Sequence, residues 1–213
     1  MFKENPAPGC AVSEVMLLRV SRQIASLWSR DGIIPEGSEE AYVYGIQLLL
    51  STVINVVCIA VISWLMGNAF AWIPFMIGFV PLRMTAGGYH AKTPLRCGIT
   101  FCSTYTLVLV LLPFLPVRGQ VPVILINSLV TMTLVFLFSP VPAGNKPLTE
   151  EEAKRNRKRS LVIAVTSFLF VLIAIWLQSL RNFVLCISCG QVTAAIYLWV
   201  SKMIQRLNLY ETV

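Results

Sequence analysis

A single histidine, His90, stands seven residues before a cysteine in the polar segment RMTAGGYHAKTPLRC, Arg83 to Cys97. An imidazole beside a thiol is the pairing that makes a sulfur nucleophile and its base. On one unbroken helix the two would share a face, but seven residues rise about 10.5 Å. A thiol–imidazole hydrogen bond needs the reacting atoms roughly 3 to 3.5 Å apart. The sequence breaks the helix between them. Thr93 is a good N-cap and Pro94 a good first helical residue, so a helix from Thr93 carries Cys97 in its first turns. There the free N–H groups and the positive dipole end attract an anion such as a thiolate. Arg83 and Arg96 add positive charge nearby, and Gly87-Gly88 lets the backbone turn before His90. With one histidine in the chain, any imidazole chemistry must use His90, and a His-rich zinc site is excluded; no metal or cofactor is called for. Spacing alone leaves two readings open: a Cys–His pair, or a juxtamembrane loop with an interfacial histidine and an inert cysteine.

The segment lies between strongly apolar runs. The chain of 213 residues is 56% hydrophobic and 13% charged, against about 25% charged for a soluble domain. Residues 45–66, 98–117, 121–138, 160–178 and 182–200 each approach the ~20 apolar residues that cross a bilayer as a helix. Residues 69–82 form a shorter run holding Pro74, Gly78 and Pro81, which crosses as a distorted helix or dips in and returns. The expected fold is all-α: a single integral membrane domain over residues 1–213, a polytopic helical bundle of about six transmembrane segments with the second short or distorted. Residues 13–30 set Leu17, Val20, Ile24, Leu27 and Trp28 opposite Arg19, Arg22, Gln23, Ser26 and Arg30. That is an amphipathic helix, either lying in the interface or packed on the bundle, and Arg30-Asp31-Gly32 reads as its stop.

The net charge of +7 is topological rather than a sign of nucleic-acid binding. With both termini inside and six crossings, the inner segments hold fifteen lysines and arginines and the outer ones only Arg118 and Arg181, the positive-inside pattern. This puts the loops 83–97 and 139–160 on the cytoplasmic side, where thiols stay reduced. In the second of these, LTEEEAKRNRKRS reads as a helix start, with Thr149 capping and acids in the first turn. The N-terminal residues 1–11 lack the apolar core of a signal peptide.

The motif LRMTAGGYHAKTPLRCGIT resembles the signature of the accessory gene regulator protein B (AgrB) family, membrane cysteine endopeptidases of bacterial quorum sensing. Arg83, Gly87, Gly88, His90 and Cys97 match that pattern in order and spacing, and GNKPLTEEEAKRNRKR resembles the family's second cytoplasmic loop. The resemblance implies a bacterial cell-membrane enzyme that cleaves an AgrD-like propeptide on its C-terminal side through a thioester on the catalytic cysteine. It also implies cyclisation of the retained part to a thiolactone or lactone signal. Carried over, Cys97 is the nucleophile and His90 the base, with Arg83, Gly87 and Gly88 in support. Precursors of this family have an amphipathic leader and an acidic tail, so Lys146, Lys154, Arg155, Arg157, Lys158 and Arg159 are candidates to hold the tail. Membrane lipid is the other expected partner, and dimerisation rests on the family alone. Glu39 and Glu40 are the nearest candidates for a third residue orienting His90.

Two other classes compete. Cys186 and Cys189 form a C-x-x-C, as in a membrane thiol-disulfide oxidoreductase, although cysteine in an apolar span is ordinarily a small packing residue. A non-catalytic scaffold or peptide exporter would need neither His90 nor Cys97. Polar residues inside the spans, such as Asn55, Ser103, Thr104 and Gln191, read as packing between helices.

Overall fold

Seven α-helices account for nearly all of the computed structural model, which describes residues 12–35, 37–87, 94–141 and 149–207. They are α1 (Val12–Arg30), α2 (Glu39–Leu65), α3 (Trp72–Ala86), α4 (Pro94–Leu111), α5 (Val117–Phe138), α6 (Glu150–Ala174) and α7 (Arg181–Arg206), with short 3-10 turns at Leu112–Phe114 and Gln178–Leu180. No strand occurs among the described residues, so the all-α membrane bundle stands. The six apolar helices expected from the sequence are α2 to α7. By length and composition, α2, α7, α5 and the helical stretch Arg96–Phe114 are able to cross a bilayer. The other two have shorter apolar stretches. α3 has 15 residues with Pro81 inside, and α6 spends its first turns on charged residues before its apolar part begins at Ser160.

Helix ends follow local chemistry. Gly32 (φ +70°) ends α1 and Gly67 (φ +75°) ends α2, each in the left-handed conformation that glycine adopts without penalty. In both, the next N–H reaches back five residues: Ile33 to the Trp28 carbonyl at 2.9 Å and Asn68 to the Ser63 carbonyl at 2.9 Å. These are Schellman stops. α6 opens on a capping box: Thr149 Oγ1 accepts from the Glu152 N–H at 3.3 Å, and the Glu152 carboxylate accepts from the Thr149 N–H at 3.1 Å.

The chain divides into two compact units, residues 1–59 with 91–103, and residues 60–90 with 104–213. In the first, α1 packs on the start of α2 through Ala25, Ile34 and Ile46, with Ile24, Val43 and Leu50 around them. The buried face of α1 is therefore Ser21 and Ala25, while Leu27 and Trp28 of the expected apolar face stay exposed.

In the second unit α7 is the central helix. Its Gly190 lies so close to the Phe75 carbonyl of α3 that a Cβ would collide with it, and Gly78 of α3 meets the Ile187 carbonyl in the same way. Reciprocal glycines let two backbones touch, which is how apolar helices associate when lipid offers side chains an equally apolar surrounding. On the other side of α7, Val184 and Leu185 pack with Ile124 of α5 and with Val171 and Ala174 of α6. Polar contacts link the helices as well. The Ser63 and Tyr105 hydroxyls bond each other, Thr104 Oγ1 and Tyr197 Oη lie 2.8 Å apart, and Asn127 Nδ2 donates to Ser188 Oγ at 3.3 Å. Exposed Trp64, Phe70, Phe114 and Trp176 sit at the end of α2, before α3, after α4 and after α6, as aromatic residues do at a membrane–water boundary.

Candidate active site

Cys97 stands four residues into α4, in its first turn, and is partly exposed. The helix begins at Pro94, as the Thr93-Pro94 signal predicts. The next residue, Gly98, is buried against α2: a Cβ there would collide with Oδ1 of Asn55. One turn further along, the Cys102 and Cys58 thiols of the same two helices interact. α2 and α4 thus run side by side with Asn55 level with Gly98. Asn55 lies 16 positions beyond Glu39, about 24 Å along the helix, and near the centre of the apolar run 45–66. The cysteine end of the motif is set against the middle of α2 rather than against its polar start.

The other end of the motif belongs to the second unit. Arg83 occupies the last turn of α3, where a cation complements the helix dipole; it is half-buried, with Nη1 shielded from solvent. Gly87 ends α3 at φ +80° and ψ −148°, a conformation open to glycine and strained for other residues. Space imposes the same choice. The segment after α5 passes directly over it, the Val141 N–H bonding the Ala86 carbonyl at 2.9 Å, and a Cβ on Gly87 would strike the Val141 carbonyl oxygen. Gly87 therefore serves close approach as well as turning. Gly88 and His90 lie outside the described residues, as does Lys146 of the second loop.

The basic run proves to be helical, on the first turns of α6. Its members divide by what they touch. Arg157 donates from Nη1 to the Ser139 carbonyl at 3.2 Å and from Nη2 to the Phe136 carbonyl at 3.4 Å. It caps the C-terminal end of α5, whose last carbonyls have no helical partner. Beside it the Ser139 and Ser160 hydroxyls lie 2.6 Å apart, both buried. Arg155, Lys158, Arg159, Val162 and Ile163 instead line a cleft of about 420 Å³ with Thr85 of α3. At positions i, i+3, i+4, i+7 and i+8 they form one helix face, cationic at its outer end and apolar below. Lys154 is exposed.

The C-x-x-C cysteines sit on α7. Cys186 is buried, and Cys189 packs beside the Ile124–Val171–Leu185 cluster with its sulfur 3.8 Å from Asn127 Nδ2. Both are free thiols surrounded by helix packing.

The family model for accessory gene regulator B matches residues 21–204, from the middle of α1 almost to the end of α7. The chain belongs to the accessory gene regulator B family. It is 24% identical over 164 residues to an AgrB-like protein of Clostridium perfringens strain 13, covering 73% of this chain and 75% of that one. An AgrB-like protein of Listeria innocua is 23% identical over 181 residues, covering 81% and 85%. No solved structure matches significantly. Membership in the AgrB family supports involvement in agr quorum-sensing peptide processing, with an AgrD-like propeptide as partner in the general sense. Within that frame two features of the chain escaped sequence reasoning. Asn55 was visible as a polar interruption of an apolar run, but nothing local tied it to Gly98. Arg157 looked like its basic neighbours because its partners, Phe136 and Ser139, belong to another helix end.

Proposed function

We propose that this chain is a membrane cysteine endopeptidase that cuts an AgrD-like propeptide near its C-terminus and passes the retained part to ring closure. The observation that carries the reading is the position of Cys97, the cysteine of the family motif, in the first turn of α4 beside the middle of α2. A helix N-terminus favours a thiolate by its dipole and free N–H groups.

His90 takes the Cys97 proton, and the thiolate adds to the scissile carbonyl carbon. As the tetrahedral intermediate collapses, the C–N bond breaks. The amine of the departing tail leaves with the proton that the imidazolium returns, and the retained peptide is held as a thioester. His90 then takes the proton from a cysteine or serine side chain of that peptide, whose sulfur or oxygen attacks the thioester carbon. The bond to Cys97 breaks, giving a thiolactone or lactone. A thioester keeps most of the peptide-bond energy for this second transfer, provided water does not reach it first. A nucleophile at the start of an apolar membrane helix suits that need, since such surroundings keep water scarce.

Arg155, Lys158 and Arg159 border an apolar-lined cleft; their positive charge suits an acidic tail, and Lys154 and Lys146 extend the same charge along the chain. The exposed Leu27 and Trp28 of α1, next to a cleft of about 410 Å³ lined by Tyr42, Gly45 and Leu49 of α2, suit the amphipathic leader. Arg83 assists binding or thiolate formation, and Gly88 supplies backbone freedom before His90. Both termini and the catalytic segment are assigned to the cytoplasmic side by the distribution of lysine and arginine.

Co-expression with a precursor tests the reading. Cys97→Ala and His90→Ala should each abolish cleavage at unchanged membrane abundance. Normal product from either variant would overturn it.

A further inference from the structure

An amide in the middle of a membrane helix is costly unless it has a polar task. Asn55 is such a group: half-buried on α2, with exposed Val53, Ile54 and Val57 around it and its carboxamide against the Cα of Gly98. Gly98 follows Cys97 directly, one Cα step of about 3.8 Å away. The absence of a side chain at Gly98 is what lets the carboxamide approach, because a Cβ would collide with Oδ1, the amide atom that faces Gly98. Two residues of unrelated type, on helices 43 positions apart in sequence, thus meet one residue along the chain from Cys97.

We propose that Asn55 Nδ2 is an oxyanion donor for acyl transfer at Cys97. This rests on the reading of Cys97 as the nucleophile. When the thiolate adds to a carbonyl carbon, the carbonyl π pair moves to oxygen. A fixed N–H at that oxygen stabilises the charge in an apolar setting, where such bonds are strongest. The same donor serves both halves of the reaction, because ring closure passes through a second tetrahedral intermediate at the same carbon. Asn55 neither takes nor gives up a proton in either step. The peptide N–H groups at the start of α4 supply the remainder of the site.

The test uses the full-length protein in lipid nanodiscs with a synthetic precursor peptide. Asn55→Leu keeps the bulk and removes the donor. Its kcat for cleavage should fall roughly a hundred- to a thousand-fold with KM nearly unchanged. Alkylation of Cys97 by iodoacetamide, read by peptide mass, should keep the wild-type rate, because displacement at a saturated carbon creates no oxyanion. Gly98→Ala, which pushes the carboxamide aside, should reproduce the loss of cleavage and provides the comparison if Asn55→Leu is poorly expressed. Cleavage by Asn55→Leu or Gly98→Ala within a few-fold of wild type would overturn the proposal. So would an alkylation rate that drops in step with cleavage, the mark of a merely structural residue. Cleavage that survives Cys97→Ala would instead remove the nucleophile assignment beneath it.

Discussion

Gly87 joins two constraints at one residue: a positive φ and a carbonyl oxygen occupying the space where a side chain would begin. Gly87→Ala should therefore destabilise the protein by roughly 1–3 kcal/mol, read as a lower Tm in detergent. The sequence showed that a turn was needed there but not why, since Val141 lies 54 positions away and nothing local announces it. The basic run teaches the same lesson. Composition groups Arg155, Arg157, Lys158 and Arg159 together, yet only Arg157 holds the end of α5. Arg157→Gln should lower thermal stability with little change in KM for the precursor. Replacing Arg155, Lys158 and Arg159 by Gln should raise KM at unchanged stability. If all four changes act alike, the division between scaffold and tail contact is wrong.

At the level of elements, what is encoded locally was legible. The start of α6 at Thr149, the start of α4 at Pro94 and the stop of α1 at Gly32 all follow from side chains within one turn of the helix end. Thr149→Ala should cost about 1 kcal/mol, measurable as a small Tm shift without loss of processing. Packing between distant helices was not legible. Gly78 and Gly190 are ordinary glycines in sequence, and only the fold brings each against the other helix's backbone. Gly190→Leu should disrupt the α3–α7 contact far more than the cap change and leave little folded protein in fluorescence-detected gel filtration. The C-x-x-C of α7 marks the same boundary between pattern and packing. Its cysteines are embedded among neighbouring helices, so Cys186→Ala/Cys189→Ala should process precursor at the wild-type rate. Loss of processing with retained folding would favour the redox reading.

For the whole molecule, hydropathy delivered the class, and the charge distribution carries the proposed topology. Register was the part that sequence could not supply. A polar segment flanked by apolar runs reads as a surface loop, yet the helix that carries Cys97 runs beside α2 with Gly98 facing Asn55. In the proposed chemistry a membrane is useful, since a thioester lasts longer where water is scarce. The measurement that tests this account most directly is the intact mass of the full-length enzyme caught during turnover with a precursor peptide. The account predicts an acyl adduct on Cys97 with the mass of the retained peptide, released by hydroxylamine, lost in Cys97→Ala and not formed in His90→Ala. Cyclic product appearing with no adduct on Cys97, or with an adduct on any other residue, would contradict it.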